Sequence, residues 1–340
     1  MTDGRPLISS PLRPLILLIS VSLLVACGGG SSGDDGMTVD GDNSGTTAPV
    51  ETNTPMDSIA SWDGADWADY RPFIGTMTPQ VRERLRAIAA VGKAMGRESG
   101  RMGQIGDSIT ESSAYFRNAV LNGIQSNETG HDYDPIRSWL AYAATQPADA
   151  NSFYRDRGKD TVYGNKSGWT LTNAISAGHP ALAVEVGDGV MAGQFAWVLI
   201  MFGTNDIDAG SWNADNWKSE YRNFVQQFID LGIVPVLSTI PPEQVHVGDG
   251  RVELANQKIV EISEELEILM VDFNALILHY QPVNWNGSLI SADGTHPSAG
   301  GGGREFSQTA LTATDGYAAR TKLSFDVAEF LRSEIFEPTP

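Results

Sequence analysis

Residues 195–202 read Phe-Ala-Trp-Val-Leu-Ile-Met-Phe, with no polar interruption. A short unbroken apolar run of this kind suits a strand buried on both faces of a parallel sheet. Residues 233–240 have the same character and end at Pro241-Pro242. Shorter strands are expected at 102–105 and 268–273. Between the strands the period changes. Residues 215–231 place Trp217, Tyr221, Phe224, Phe228 and Leu231 on one side of a helix that Gly232 stops. Further helices are expected at 251–266 and 325–336. Upstream, Thr78 suits an N-cap and Pro79 a first helical position, with Val81, Leu85, Ile88 and Met95 at helical spacing behind them.

Strands alternating with helices imply an α/β fold, a parallel sheet with helices on both faces. Ligands of such sheets bind beyond the carboxyl ends of the strands. Gly106-Asp107-Ser108 and Gly203-Thr204-Asn205 each follow an expected strand directly, so the architecture delivers both to one edge. No internal repeat is present.

The first 58 residues have a different texture. Arg5 and Arg13 precede an apolar stretch at 15–26, too short to span a bilayer comfortably. It ends Leu24-Val25-Ala26-Cys27, which resembles the lipobox of bacterial lipoproteins, and Cys27 is the single cysteine of the 340 residues. Residues 1–26 are therefore read as a lipoprotein signal peptide, with Cys27 as the lipidated residue. Gly28 after the cysteine points to the outer membrane of a bacterial envelope. Residues 27–58 are rich in Gly, Ser, Thr and Asp, and contain no Lys or Arg. Such a composition cannot offset chain entropy by burial, so a disordered tether is expected, spanning roughly 30 Å as a flexible coil. The body would occupy 59–340.

The whole chain is 41% apolar, enough for a sizeable core, and carries a formal charge of −19. Nucleic acid is accordingly a poor partner. One cysteine excludes a disulfide framework and a cysteine-based zinc site.

Three polar blocks carry candidate chemistry. Ser108, at a strand-to-helix turn, would project its hydroxyl from the sheet edge with its own amide near a helix N-terminus, although Asp107 and Ser108 equally suit simple capping. A serine hydroxyl needs a base. Of the five histidines, His296 stands apart. Asp293 lies three residues before it in a glycine-containing loop, where one turn brings carboxylate to imidazole and fixes the tautomer. His179, His246 and His279 lie in a turn, a polar loop and a partly buried position. His131-Asp132-Tyr133-Asp134 has residue types that bind metals, yet no metal site is expected there. Serine attack also creates an oxyanion that needs preorganised donors. Asn205 offers a side-chain amide, Ser108 its own N–H, and Gly168 an unobstructed backbone N–H, with Gly164 a close competitor for the last.

In these blocks the chain resembles the SGNH hydrolases, also called the GDSL esterase and lipase family, over about 100–336. The resemblance implies a flavodoxin-like three-layer α/β/α fold with no cofactor. It implies Ser108 as nucleophile, Gly168 and Asn205 as oxyanion donors, and His296 as base oriented by Asp293. About 60 residues separate Ser108 from Gly168, an insertion at about 111–167 that carries Trp139, Tyr142, Phe153, Tyr154 and Arg155-Asp156-Arg157. It is expected to form a lid or substrate wall. The run Gly300-Gly301-Gly302-Gly303 is expected to be a flexible loop beside the base. It is not a phosphate loop, because no Gly-Lys-Ser/Thr follows.

Trp169, Trp212 and Trp285 stand close to these blocks, either to stack on sugar rings or to pack the core. The expectation is a lipid-anchored serine esterase acting on carboxylic esters, with acetylated carbohydrate as the favoured substrate. Acyl transfer to an envelope sugar by the same residues, and a non-catalytic envelope-binding lipoprotein, are the alternatives.

Overall fold

The computed structural model describes residues 66–145, 165–176 and 195–338, all within one unit, Thr52–Pro340. Cys27, the tether, Gly164, His179 and the 153–157 stretch of the insertion lie outside the described residues. In chain order the first half contains α1 (Pro79–Ala94), β1 (Met102–Gly106), α2 (Ser108–Glu111), α3 (Arg117–Asn122), β2 (Ser126–Asn127), α4 (Asp134–Thr145) and α5 (Leu171–Ser176). The second half contains β3 (Trp197–Met201), α6 (Thr204–Ile207), α7 (Ala214–Asp230), β4 (Val234–Ser238), α8 (Arg251–Leu266), β5 (Leu269–Val271), α9 (Phe273–Tyr280), β6 (Glu305–Phe306) and α10 (Gly316–Leu331).

The main sheet has the order β1-β3-β4-β5, parallel throughout. Every residue of these strands is buried. Successive side chains point to opposite faces, so both faces must be covered, and helices cover them in a three-layer α/β/α arrangement. The open edges are blunted by short crossing segments. Beyond β1, Asn165 bridges Gly106 and its side-chain amide donates to the Gln104 carbonyl at 2.7 Å. Beyond β5, Ile74 bridges Val271, and Gly75 donates to the Met270 carbonyl.

The expected helices form for the reasons their sequences give. The Thr78 hydroxyl accepts from the Val81 amide and Pro79 opens α1. Asn213, one turn ahead of the apolar stripe, caps α7 by accepting from the Asn216 amide at 3.0 Å. Trp217, Tyr221, Phe224 and Phe228 of α7 are buried, each worth about 1.5–3 kcal/mol of transfer free energy. Met95 departs from the pattern. It follows α1 as its C-cap and is 55% exposed.

Three further expectations are corrected. The last helix starts at Gly316 rather than near 325, and a π-helical turn, Arg332–Phe336, closes it. Its early turns carry Arg320 and Lys322, which look like solvent residues but are buried by partners. The Arg320 guanidinium donates to the Ile109 carbonyl and the Thr110 hydroxyl and lies 4.0 Å from the Tyr115 ring centre. Lys322 pairs with Asp326 at 2.6 Å over the Tyr70 ring. Second, the described part of the insertion is core rather than lid, and only Glu111, Ser112 and the flanking Ser167 form part of a cavity wall. Phe116, Val120, Tyr133, Ile136 and Leu140 join the core, and β2 pairs with β6. Third, the glycine run is a tight turn around a buried carboxylate. Asp315 Oδ2 accepts from the Gly301 and Gly303 amides at 2.6 and 3.2 Å, while Oδ1 caps α10 through the Ala318 amide.

Gly303 has φ +72°, and a Cβ there would overlap the carbonyl oxygen of Ala114. Gly302 has φ +63°, but a Cβ there would meet only the Asn118 side chain, at an ordinary 4.0 Å. Gly303→Ala should therefore cost about 3 kcal/mol in urea unfolding, and Gly302→Ala about 1 kcal/mol for its left-handed backbone alone. Equal losses would show that the Ala114 contact does not constrain the turn.

Candidate active site

β1 ends at Gly106, and the chain turns at once into α2. Asp107 is its N-cap, fully buried, with Oδ1 accepting from the Ile109 amide at 2.9 Å. Ser108 is therefore the first helical residue and stands half-buried at the sheet edge. Among the described residues its amide has no hydrogen-bond acceptor, as expected for the first turn of a helix. The far end of α2 is held by Arg320, so the short helix is gripped from both sides.

The loop after α9 brings His296 to this serine. His296 Nε2 lies 2.9 Å from Ser108 Oγ, and His296 Nδ1 lies 2.8 Å from Asp293 Oδ2. Asp293 Oδ1 accepts from the Thr295 and His296 amides at 3.0 Å each and from the Ser291 hydroxyl at 2.7 Å. Partial burial pushes the Asp293 carboxyl up, but these donors outweigh it and hold it well below the usual carboxylate range. An ionised carboxylate only accepts, so the Nδ1 proton belongs to the imidazole. Nε2 is then left to accept from the serine hydroxyl. The loop is buttressed from the β4 exit, where the Gln244 amide donates to the Gly294 carbonyl at 2.8 Å.

Asn205 lies in α6, directly after β3. Its side-chain amide donates to the Trp169 carbonyl at 3.0 Å and, at a long 3.5 Å, to Asp107 Oδ2. It thus links the residue before Ser108 to the residue after Gly168. The neighbouring Asp206 fixes the same loop, Oδ1 accepting from the Leu171 amide at the start of α5. Gly168 itself is exposed at φ +76°, and among the described residues its amide has no partner. Ser108, His296 and Asp293 therefore form a chain of direct contacts, while Asn205 on α6 is tied to the Gly168 loop through the Trp169 carbonyl.

The tryptophans fall on the packing side of the two readings. Trp169 and Trp285 are 6% and 8% exposed and belong to the core, and Trp212 packs edge-on against Trp217. A large ring beside a glycine turn gains more from covering the core than from facing water. Trp169 and Trp285 present no open face for a sugar, while Trp212 is only partly buried.

The mouth above the serine is a cavity of about 430 Å³ lined by Ser108, Glu111, Ser112, Ser167, His296 and Tyr317. The Glu111 carboxylate accepts from the Ser167 amide, which ties α2 to the Gly168 loop. Of these, sequence reasoning missed Glu111, Ser112, Ser167 and Tyr317. Glu111 and Ser112 had a signal, since they lie three and four positions after Ser108 on a helix. Tyr317 and Ser167 had none, because only tertiary packing brings them near.

A family model described as GDSL-like lipase/acylhydrolase matches residues 105–302, more than half of the chain, including all three polar blocks. The chain belongs to this family. It is an ester-hydrolysing enzyme. No curated protein matches it. Among solved structures it is similar to a GDSL-like lipase from Bacteroides thetaiotaomicron, at 17% identity and TM-score 0.42, over 72% of this chain and 97% of that one. It is also similar to Axe2, an acetylxylan esterase from Geobacillus stearothermophilus, at 19% identity and TM-score 0.40, over 69% and 94% of the two chains.

Burial raises the Asp107 carboxyl from 3.8 to about 6, against the Ile109 amide and the Arg320 and His296 charges. Its folded pKa lies above its unfolded one. The stability it contributes is thus present below about pH 3.8 and lost as pH rises through about 6. Asp107→Asn keeps the cap acceptor and removes the ionisation. Melting curves should show the variant gaining on wild type as pH rises from 4 to 7, and a pH-independent difference would refute the assignment.

Proposed function

We propose that this GDSL-family enzyme is a serine esterase that removes short acyl groups, acetyl foremost, from hydroxyl-rich alcohols such as carbohydrate. The observation that carries the catalytic part is the unbroken chain Asp293–His296–Ser108, with contacts of 2.8 and 2.9 Å. Ser108 Oγ attacks the ester carbonyl carbon as its proton passes to His296 Nε2. The negative oxygen is held by the Ser108 and Gly168 amides and by the Asn205 hydrogen that Asp107 holds only at 3.5 Å. The C–O bond to the alcohol breaks, and the departing oxygen takes the proton from His296. Water then attacks the acyl-serine, with His296 again as base, and releases the acid.

The substrate part is supported by the mouth. Its lining is a carboxylate, three serines, an imidazole and a phenol, with no aliphatic side chain. An acyl chain of many methylenes would find nothing there to replace water, at about 0.8 kcal/mol lost per unburied CH₂. Hydroxyl groups would find partners. We further place the enzyme at the bacterial envelope, held to the outer membrane through lipidated Cys27, a reading that the lipobox supports.

Fluorophosphonate labelling tests the nucleophile. Wild type should label, Ser108→Ala should not, and label retained by Ser108→Ala would end the proposal. Asn205→Ala should lower kcat by roughly 10²–10³ with little change in KM. On substrate, kcat/KM for an acetylated sugar should exceed that for a long-chain ester by roughly tenfold or more. The reverse order would remove the carbohydrate reading and leave the triad intact.

A further inference from the structure

A second group of ligating side chains lies at the same edge of the sheet, away from Ser108. His246, in the loop after β4, is 8% exposed. Its Nε2 faces Asp208 Oδ1 at 2.9 Å and its Nδ1 faces Asp249 Oδ2 at 2.8 Å. Glu243 is 2% exposed, and its Oε1 has no hydrogen-bond partner among the described residues. One ligand atom each from Asp208, Glu243 and His246 lie within 4.8 Å of one another.

We propose that Asp208, Glu243 and His246 bind a divalent cation with nitrogen and oxygen preference, Zn²⁺ in the first instance. Three features argue for it. The 2.9 Å between Nε2 and Oδ1 is about 0.5 Å short of the roughly 3.4 Å between tetrahedral ligands that each stand about 2.1 Å from zinc, a gap that a small outward shift of the exposed Asp208 side chain closes. Asp249 on Nδ1 is the carboxylate partner that turns the Nε2 lone pair toward a metal, and its own Oδ1 is fixed by the Arg251 amide at 2.9 Å. Finally, burying Glu243 without a partner for Oε1 is costly, and a cation supplies what the protein does not. Two carboxylates balance the charge of the ion. Asp208 is 59% exposed, which leaves water access to the remaining coordination positions.

The position gives the ion a structural task. Asp208 follows α6, which carries Asn205. Glu243 precedes Gln244, whose amide holds the Gly294 carbonyl in the His296 loop. A cation here would clamp the β3 and β4 exit loops together without touching an ester.

The test uses the full-length protein stripped with a chelator and titrated calorimetrically with Zn²⁺ alone. Wild type should bind one equivalent and melt at higher temperature with the ion. Glu243→Gln and Asp208→Asn should each weaken binding at least tenfold and lose most of the melting shift. Asp249→Asn should weaken it by roughly 10–100-fold, and the Ser108→Ala protein should bind as wild type does. Absence of stoichiometric binding in wild type would overturn the proposal. So would binding unchanged in both Glu243→Gln and Asp208→Asn, which would put the ion on other histidines. Because the readout is binding, failure here leaves the esterase reading untouched, and loss of esterase activity leaves this site untouched.

Discussion

A parallel sheet ends all its strands at one edge, and the polar residues that leave that edge have nowhere else to gather. In this chain the strands are mostly apolar and buried on both faces, which leaves little room for a ligating side chain along their length. The candidate chemistry gathers in the first residues past the strands and in the loop after α9 that meets them. Asp107 and Ser108 follow β1, Asn205 and Asp206 follow β3, and Glu243 to His246 follow β4. Everything else in the site answers to that crowding. A buried cap acid, a bridging asparagine and a loop held by backbone bonds are the means by which neighbouring exits are kept from collapsing onto one another.

The sheet strands and the long helices were legible because one-period patterns dominate them. The 195–202 and 233–240 runs could be little else, and the Trp217-to-Phe228 stripe has a single face. The contact chain Asp293–His296–Ser108 was legible for a different reason. Asp293 and His296 sit within one turn, so their contact is local, and only the meeting with Ser108 needed the fold. What escaped notice depends on residues that offset burial with partners distant in sequence. Arg320 and Lys322 hid the start of α10, because a cation is a solvent signal until its carbonyl, carboxylate and ring neighbours are known. The helix Phe273–Tyr280 was overlooked although Asp272 stands ready to cap it. The strand expectation at 268–273 had already absorbed its first residue.

The glycine run and the tryptophans teach a related lesson about small and large residues. Four glycines in a row read as slack, yet two of them exist so that amides can converge on Asp315 while Ala114 presses from the other side. The tryptophans read as a binding platform because they sit near polar blocks in sequence. In space the same proximity puts them under the loops, where they fill volume. Nearness along the chain fixed the address of these rings but not the direction in which they face.

Asp315 and Arg320 belong to consecutive turns at the start of one helix, and the first anchors the loop behind His296 while the second grips the helix that bears Ser108. The two halves of the reaction centre therefore share a single post. The placement of His296 beside Ser108 rests on one docked helix, and a change that loosens its first turns would disturb both sides of that contact together.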